Sequence, residues 1–104
     1  MKKLINAPEK VVEDMLDGMV MAHPQYVRKL EGYSCLVNPS APMAGKVGII
    51  SGGGSGHEPS HAGFIGKGML DEACADNVFS SPTPDHLLEA AKAVDSGAGV
   101  LMVI

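Results

Sequence analysis

The segment best equipped for chemistry is Ser51-Gly52-Gly53-Gly54-Ser55-Gly56-His57-Glu58-Pro59-Ser60-His61, where four glycines fall within five residues. Main chain without side chains can approach a small polar ligand closely, and its N–H groups then face that ligand as donors. A run of such donors near a helix start favours anionic or oxygen-rich groups. A tight structural turn is the plain alternative, but left-handed turns rarely need four glycines. His57 stands where the glycines end, which makes it a hydrogen-bond partner for the ligand or a general base. His23, His61 and His86 carry weaker claims.

Several familiar motifs fail on single residues. A dinucleotide fingerprint anchored at Gly52 and Gly54 needs glycine where the chain has His57. A Walker loop ending at Gly66-Lys67 needs Ser or Thr at Gly68 and glycine at His61, so no nucleotide is expected on this chain. A nucleophile elbow at Ser55 again needs glycine at His57. His57-Glu58-Pro59-Ser60-His61 matches the H-E-x-x-H zinc pattern literally, but that pattern works on one continuous helix. Pro59 lacks an N–H and its ring collides with the carbonyl four residues back, so His57 precedes any helix. The two imidazoles are therefore expected to point apart, and no metal is assigned to them.

These residues need elements to hold them. Asn6 is placed to cap a helix that Pro8 starts, with Val12, Met15, Leu16, Met19 and Val20 at helical spacing until His23-Pro24. Tyr33-Ser34-Cys35-Leu36-Val37 reads as a short strand, and Asn38-Pro39-Ser40-Ala41-Pro42 breaks any regular element. Lys46-Val47-Gly48-Ile49-Ile50 reads as a buried strand ending at Ser51. A short helix is expected after Pro59, weakened by Gly63, Gly66 and Gly68. Thr83 and Pro84 open a second helix with the stripe Leu87, Leu88, Ala91 and Val94. Asp95-Ser96-Gly97-Ala98-Gly99 closes it, and Val100-Leu101-Met102-Val103-Ile104 reads as another buried strand. The pattern predicts an α/β fold, a sheet with flanking helices, binding its ligand beyond the carboxyl ends of the strands. Because the sequence stops inside that last strand, 1–104 is expected to be the N-terminal part of a larger domain.

The continuous strings Gly45-Lys46-Val47, Ser51 to Pro59, and His61-Ala62-Gly63-Phe64-Ile65-Gly66-Lys67-Gly68-Met69-Leu70 resemble the dihydroxyacetone-binding subunit of dihydroxyacetone kinases. Phe79-Ser80-Ser81-Pro82-Thr83-Pro84-Asp85 and the opening Met1-Lys2-Lys3-Leu4-Ile5-Asn6 extend the resemblance over nearly the whole chain except about 26–44. It implies that Gly54, Ser55, Gly56 and His57 form the substrate-contacting loop, with His57 serving the hydroxyl that accepts the phosphoryl group. The family's covalent histidine and an assisting aspartate would lie beyond Ile104, leaving the isolated chain inactive. The Met1 to Asn6 opening and the Ser81 to Asp85 segment look like the bacterial, phosphotransferase-system-dependent type. That type implies a partner subunit holding nucleotide and Mg²⁺, a phosphohistidine carrier protein that recharges it, and a homodimer of the full-length protein. Some proteins resembling this family are instead non-catalytic dihydroxyacetone sensors that co-activate a transcription regulator.

Composition narrows the remaining classes. With 104 residues the chain fits at most one small domain, and its 45 % apolar content suits a folded one. The net charge is −4 and the eight basic residues are scattered, which offers nucleic acid no cationic stripe. No apolar run approaches the ~20 residues of a bilayer span, and a cytoplasmic protein is expected. Cys35 and Cys74 sit in unrelated contexts and read as ordinary buried thiols.

Overall fold

A computed structural model describes residues 2–78 and 80–104, so Met1 and Phe79 of the strings above lie outside it. Pro8–Lys10 form one 3-10 turn that runs into helix α1, Val11–Ala22. The cap falls at Ala7 rather than Asn6, because Pro8 itself takes the first helical position; Asn6 Nδ2 instead donates to Asp14 Oδ2 at 3.0 Å. The helix stops at His23, whose N–H donates to Met19 O.

Strands β1 (Arg28–Lys29), β2 (Cys35–Val37), β3 (Gly48–Ser55), β4 (Glu72–Val78) and β5 (Val100–Val103) form one sheet in the order β1-β2-β4-β3-β5. The β1, β2 and β4 pairings are antiparallel, and β3 runs parallel to both β4 and β5. Helix α2, Pro84–Val94, begins as expected with Thr83 in the cap position, and links β4 to β5 across β3. The expected α/β architecture is therefore present.

Side chains alternate between two cores. Leu36 and Ala73 face Leu16 of α1, joined by Val27, Ala62 and Ile65. Cys35, Val37, Cys74 and Ile50 face Ala90 and Val94 of α2. Asp71 locks the start of β4 to β3, since its buried carboxylate accepts the Ile49 N–H at 2.9 Å and pairs with Lys46. Among the described residues no helix is long and apolar enough to cross a membrane.

Several expectations need correction. The central strand β4 has no sequence signature, because Glu72, Asp76 and Asn77 are poor strand formers; neighbours on both edges impose the conformation. The strand expected to end at Ser51 continues to Ser55, held by β4 through a register from Ile50↔Glu72 to Ser55↔Val78. Only a single 3-10 turn, Ala62–Phe64, follows Pro59. The last strand is not buried: Leu101, Met102 and Val103 are about half exposed, because β5 is the outer strand beyond β3.

Cys35 and Cys74 are buried as expected, but they are not free thiols. They face each other across β2 and β4 with Cα atoms 4.0 Å apart, and their sulfurs are joined. Directly opposed antiparallel residues come closest of any cross-strand pair, which the separation of 39 in sequence conceals. In denaturant without reductant, neither cysteine is expected to take up iodoacetamide, whereas both react after reduction. Intact mass reads the two labels, and their uptake before reduction would refute the pairing.

Glu72, two residues before Cys74 on the same face, is completely buried. Its Oε1 lies 3.1 Å from Cys74 Sγ, and its Oε2 has no hydrogen-bond partner. Burial pushes its carboxyl up to about 8. A sulfur already bonded to Cys35 carries no proton, so any proton in this contact belongs to the carboxyl.

Candidate functional site

The glycines stand in the strand rather than in a loop, and each face explains why. A Cβ on Gly52 would lie 3.0 Å from Pro82 Cγ and 3.3 Å from the Cys74 carbonyl oxygen. On Gly53 it would point to the opposite face, 3.0 Å from His61 Nε2 and 3.6 Å from His57 Nε2. Glycine in a strand costs roughly 0.5–1 kcal/mol relative to alanine, here offset by letting groups close on both faces of bare backbone.

Gly54 and Ser55 are the last two residues of β3, and the ladder to β4 shifts register between them. Gly56, at φ 118°, then turns the chain in a conformation that suits glycine. Ser60 N–H donates to the His57 carbonyl at 3.3 Å, which closes residues 57–61 into a turn folded over the end of β3. Within the predicted loop, Gly56 N–H is already taken by Glu58 Oε2 at 2.9 Å. Ser55 Oγ is buried with no partner, an available hydroxyl at the end of the strand. On its other edge β3 pairs with β5 only from Gly48 to Ser51, so Gly52 to Ser55 have no strand beside them there among the described residues.

Pro59 does prevent a continuous helix, but the imidazoles do not point apart. Their ring centroids are 5.7 Å apart in an edge-to-face arrangement, and both Nε2 atoms converge above Gly53. The reason is the turn itself, which folds residue 61 back over the sheet and lays its ring across two successive same-face positions, Ser51 and Gly53. His57 is exposed beside it, and His61 is half-buried.

The other histidines stand elsewhere. His23 ends α1 next to Tyr26. His86 lies in the first turn of α2, edge-on to Tyr33 at 5.7 Å. The structure also joins Ser51 to His61, the Ser51 Oγ lying 2.9 Å from His61 Nδ1, a contact sequence reasoning did not foresee. The usable signal was strand parity: residues 51 and 53 share a face once the glycines are read as strand.

The arrangement can bind a small hydroxylated molecule at the carboxyl end of a parallel strand, where α/β sheets commonly hold ligands. The one described cluster of three candidate ligand groups, Cys35, Glu72 and Cys74, is buried and rich in sulfur.

Comparison with known proteins bears on this site. The chain is 50 % identical over its whole length to the dihydroxyacetone-binding subunit DhaK of the PTS-dependent dihydroxyacetone kinase 1 of Listeria innocua, of which it covers 31 %. It is 49 % identical to the corresponding subunit of the PEP-dependent kinase of Escherichia coli, again across the whole chain and 29 % of that protein. The chain thus spans about a third of the length of these relatives. The crystal structure of the dihydroxyacetone kinase from C. freundii in complex with AMP-PNP and Mg²⁺ superposes with a TM-score of 0.91 at 40 % identity, over 99 % of this chain and 20 % of that one. A dihydroxyacetone kinase operon co-activator, Dha-DhaQ, is also 40 % identical, with a TM-score of 0.82 over 88 % of this chain and 28 % of its own. Residues 17–104 match the Dak1 domain, and with 88 of 104 residues inside that match the chain belongs to the Dak1 domain family.

Proposed function

We propose that this chain is the N-terminal part of the dihydroxyacetone-binding subunit of a cytoplasmic, phosphotransferase-system-dependent dihydroxyacetone kinase. It holds the triose so that a partner subunit can phosphorylate it. The observation that carries the reading is the end of β3, where an unpartnered buried hydroxyl on Ser55 meets bare backbone at Gly54 and a reachable imidazole at His57. Gly54 and Ser55 position the substrate oxygens, while Gly56, whose N–H is held by Glu58, turns the chain there. His57 takes the proton of the attacking hydroxyl as its oxygen bonds to phosphorus and the bond from phosphorus to the donor's leaving oxygen on the partner subunit breaks.

Phosphoryl transfer depends mainly on positioning and charge neutralisation, so acceptor and donor can reside on different proteins. In this reading nucleotide and Mg²⁺ are held by the partner subunit. A phosphohistidine carrier recharges the donor, and the full-length subunit is a homodimer in this reading. The likeness to a co-activator favours a second reading, a dihydroxyacetone sensor without catalysis.

The decisive experiment combines the complete subunit carrying this chain with its nucleotide-bearing partner and a phosphorylated carrier protein. Formation of dihydroxyacetone phosphate supports the kinase. Binding of dihydroxyacetone by calorimetry without transfer supports the sensor, and absence of binding overturns both.

A further inference from the structure

Ser51 Oγ lies 2.7 Å from the Val103 carbonyl oxygen and 2.9 Å from His61 Nδ1. A carbonyl can only accept, so the single hydroxyl proton of Ser51 goes to Val103. Ser51 Oγ must then accept from His61, which puts the ring proton on Nδ1 and leaves the lone pair on Nε2. That atom lies 3.0 Å from the place a Gly53 Cβ would occupy, and His57 Nε2 is 3.6 Å from the same place. Ser51 thus fixes His61 as an acceptor that closes on the bare backbone of Gly53, beside a small opening that it lines together with Gly53, Gly54 and Ser55.

We propose that His61 is a second ligand-contacting residue of this site, its Nε2 accepting a hydrogen bond from one hydroxyl of the bound triose that enters the small opening lined by Gly53, Gly54, Ser55 and His61. The assignment rests on the dihydroxyacetone reading above and adds a contact to it: His57 serves the reacting hydroxyl, and His61 holds a ligand hydroxyl beside it. Gly53 sets the size of the seat, and Ser51 is a positioning residue that acts through His61.

The test has one arm that needs no ligand. Nitrogen-15 NMR of the complete subunit is expected to show His61 as the Nδ1–H tautomer, and an Nε2–H tautomer would overturn the assignment whatever the protein binds. In the second arm, calorimetry with dihydroxyacetone compares His61→Asn, which keeps a donor near Ser51 but has no atom at the Nε2 position, with His61→Gln, which extends an amide to it. His61→Asn is expected to weaken affinity about tenfold or more with an unchanged thermal midpoint, and His61→Gln to recover part of the loss. Wild-type affinity in His61→Asn overturns the contact. Should that variant not fold, Gly53→Ala places a methyl against His61 Nε2 at that opening, and undiminished affinity there overturns it too. Failure of the wild-type subunit to bind dihydroxyacetone brings down the functional reading and this contact together, while the tautomer remains measurable.

Discussion

His57→Ala in the complete subunit, assayed with its phosphoryl-donating partner, is expected to lower turnover of dihydroxyacetone by about 10²–10⁴-fold, the usual worth of a positioned general base. In the proposed reaction the triose hydroxyl loses its proton as its oxygen bonds to phosphorus, and His57 is the exposed imidazole that follows β3. The loss falls on catalysis rather than folding, because the exposed side chain belongs to neither apolar core. The thermal midpoint should therefore stay within a degree or two of wild type, as surface substitutions usually change stability by less than about 0.5 kcal/mol. His57→Asn should behave alike, since an amide keeps polarity but cannot accept a proton at neutral pH. Steady-state turnover at saturating substrate decides the matter, and wild-type turnover in either variant would remove His57 from the mechanism.

The second large effect concerns stability and comes from Glu72. Its carboxyl is raised from 4.5 to about 8 by burial, so the folded protein holds a proton that the unfolded chain releases. The sign follows from proton counting. Between about pH 4.5 and 8 the native state binds more protons than the unfolded state, so stability is full below that window and is lost as pH rises through it. The slope approaches about 1.4 kcal/mol per pH unit, and the whole loss is on the order of 5 kcal/mol, a large share of what holds a small domain together. Glu72→Gln keeps the neutral shape and is expected to flatten the profile. Urea titrations at pH 5, 6.5 and 8 measure both proteins, and equal slopes for the two would show that Glu72 does not carry the dependence.

Helices α1 and α2 and strands β2 and β5 were readable because their signals are local, whereas the outer strand β1 was not foreseen. The apolar spacing from Val12 to Val20 and the Thr83-Pro84 start suffice for α1 and α2. What could not be read depended on partners distant in sequence. Glu72, Cys74 and Asp76 become a strand only because β2 and β3 flank them, and the cysteine pairing exists only in that register. The glycine run looked like a loop because glycine disfavours strands on its own, and nothing local reveals that Pro82 and two imidazoles approach it from opposite sides. His57 was legible from the glycines before it. The closeness of the His57 and His61 rings was not legible, since Pro59 argued correctly against a continuous helix but led to the expectation that the rings point apart.

At Gly52 and Gly53 the molecule is reduced to the thickness of one peptide plane, with the Pro82 ring behind and His61 in front. Elsewhere the sheet separates its two helical layers by side chains on both surfaces; here the back of the molecule almost touches its front. A fluorine atom on the Pro82 ring would therefore sense, as a shift in its resonance, any movement of the His61 ring on the opposite face.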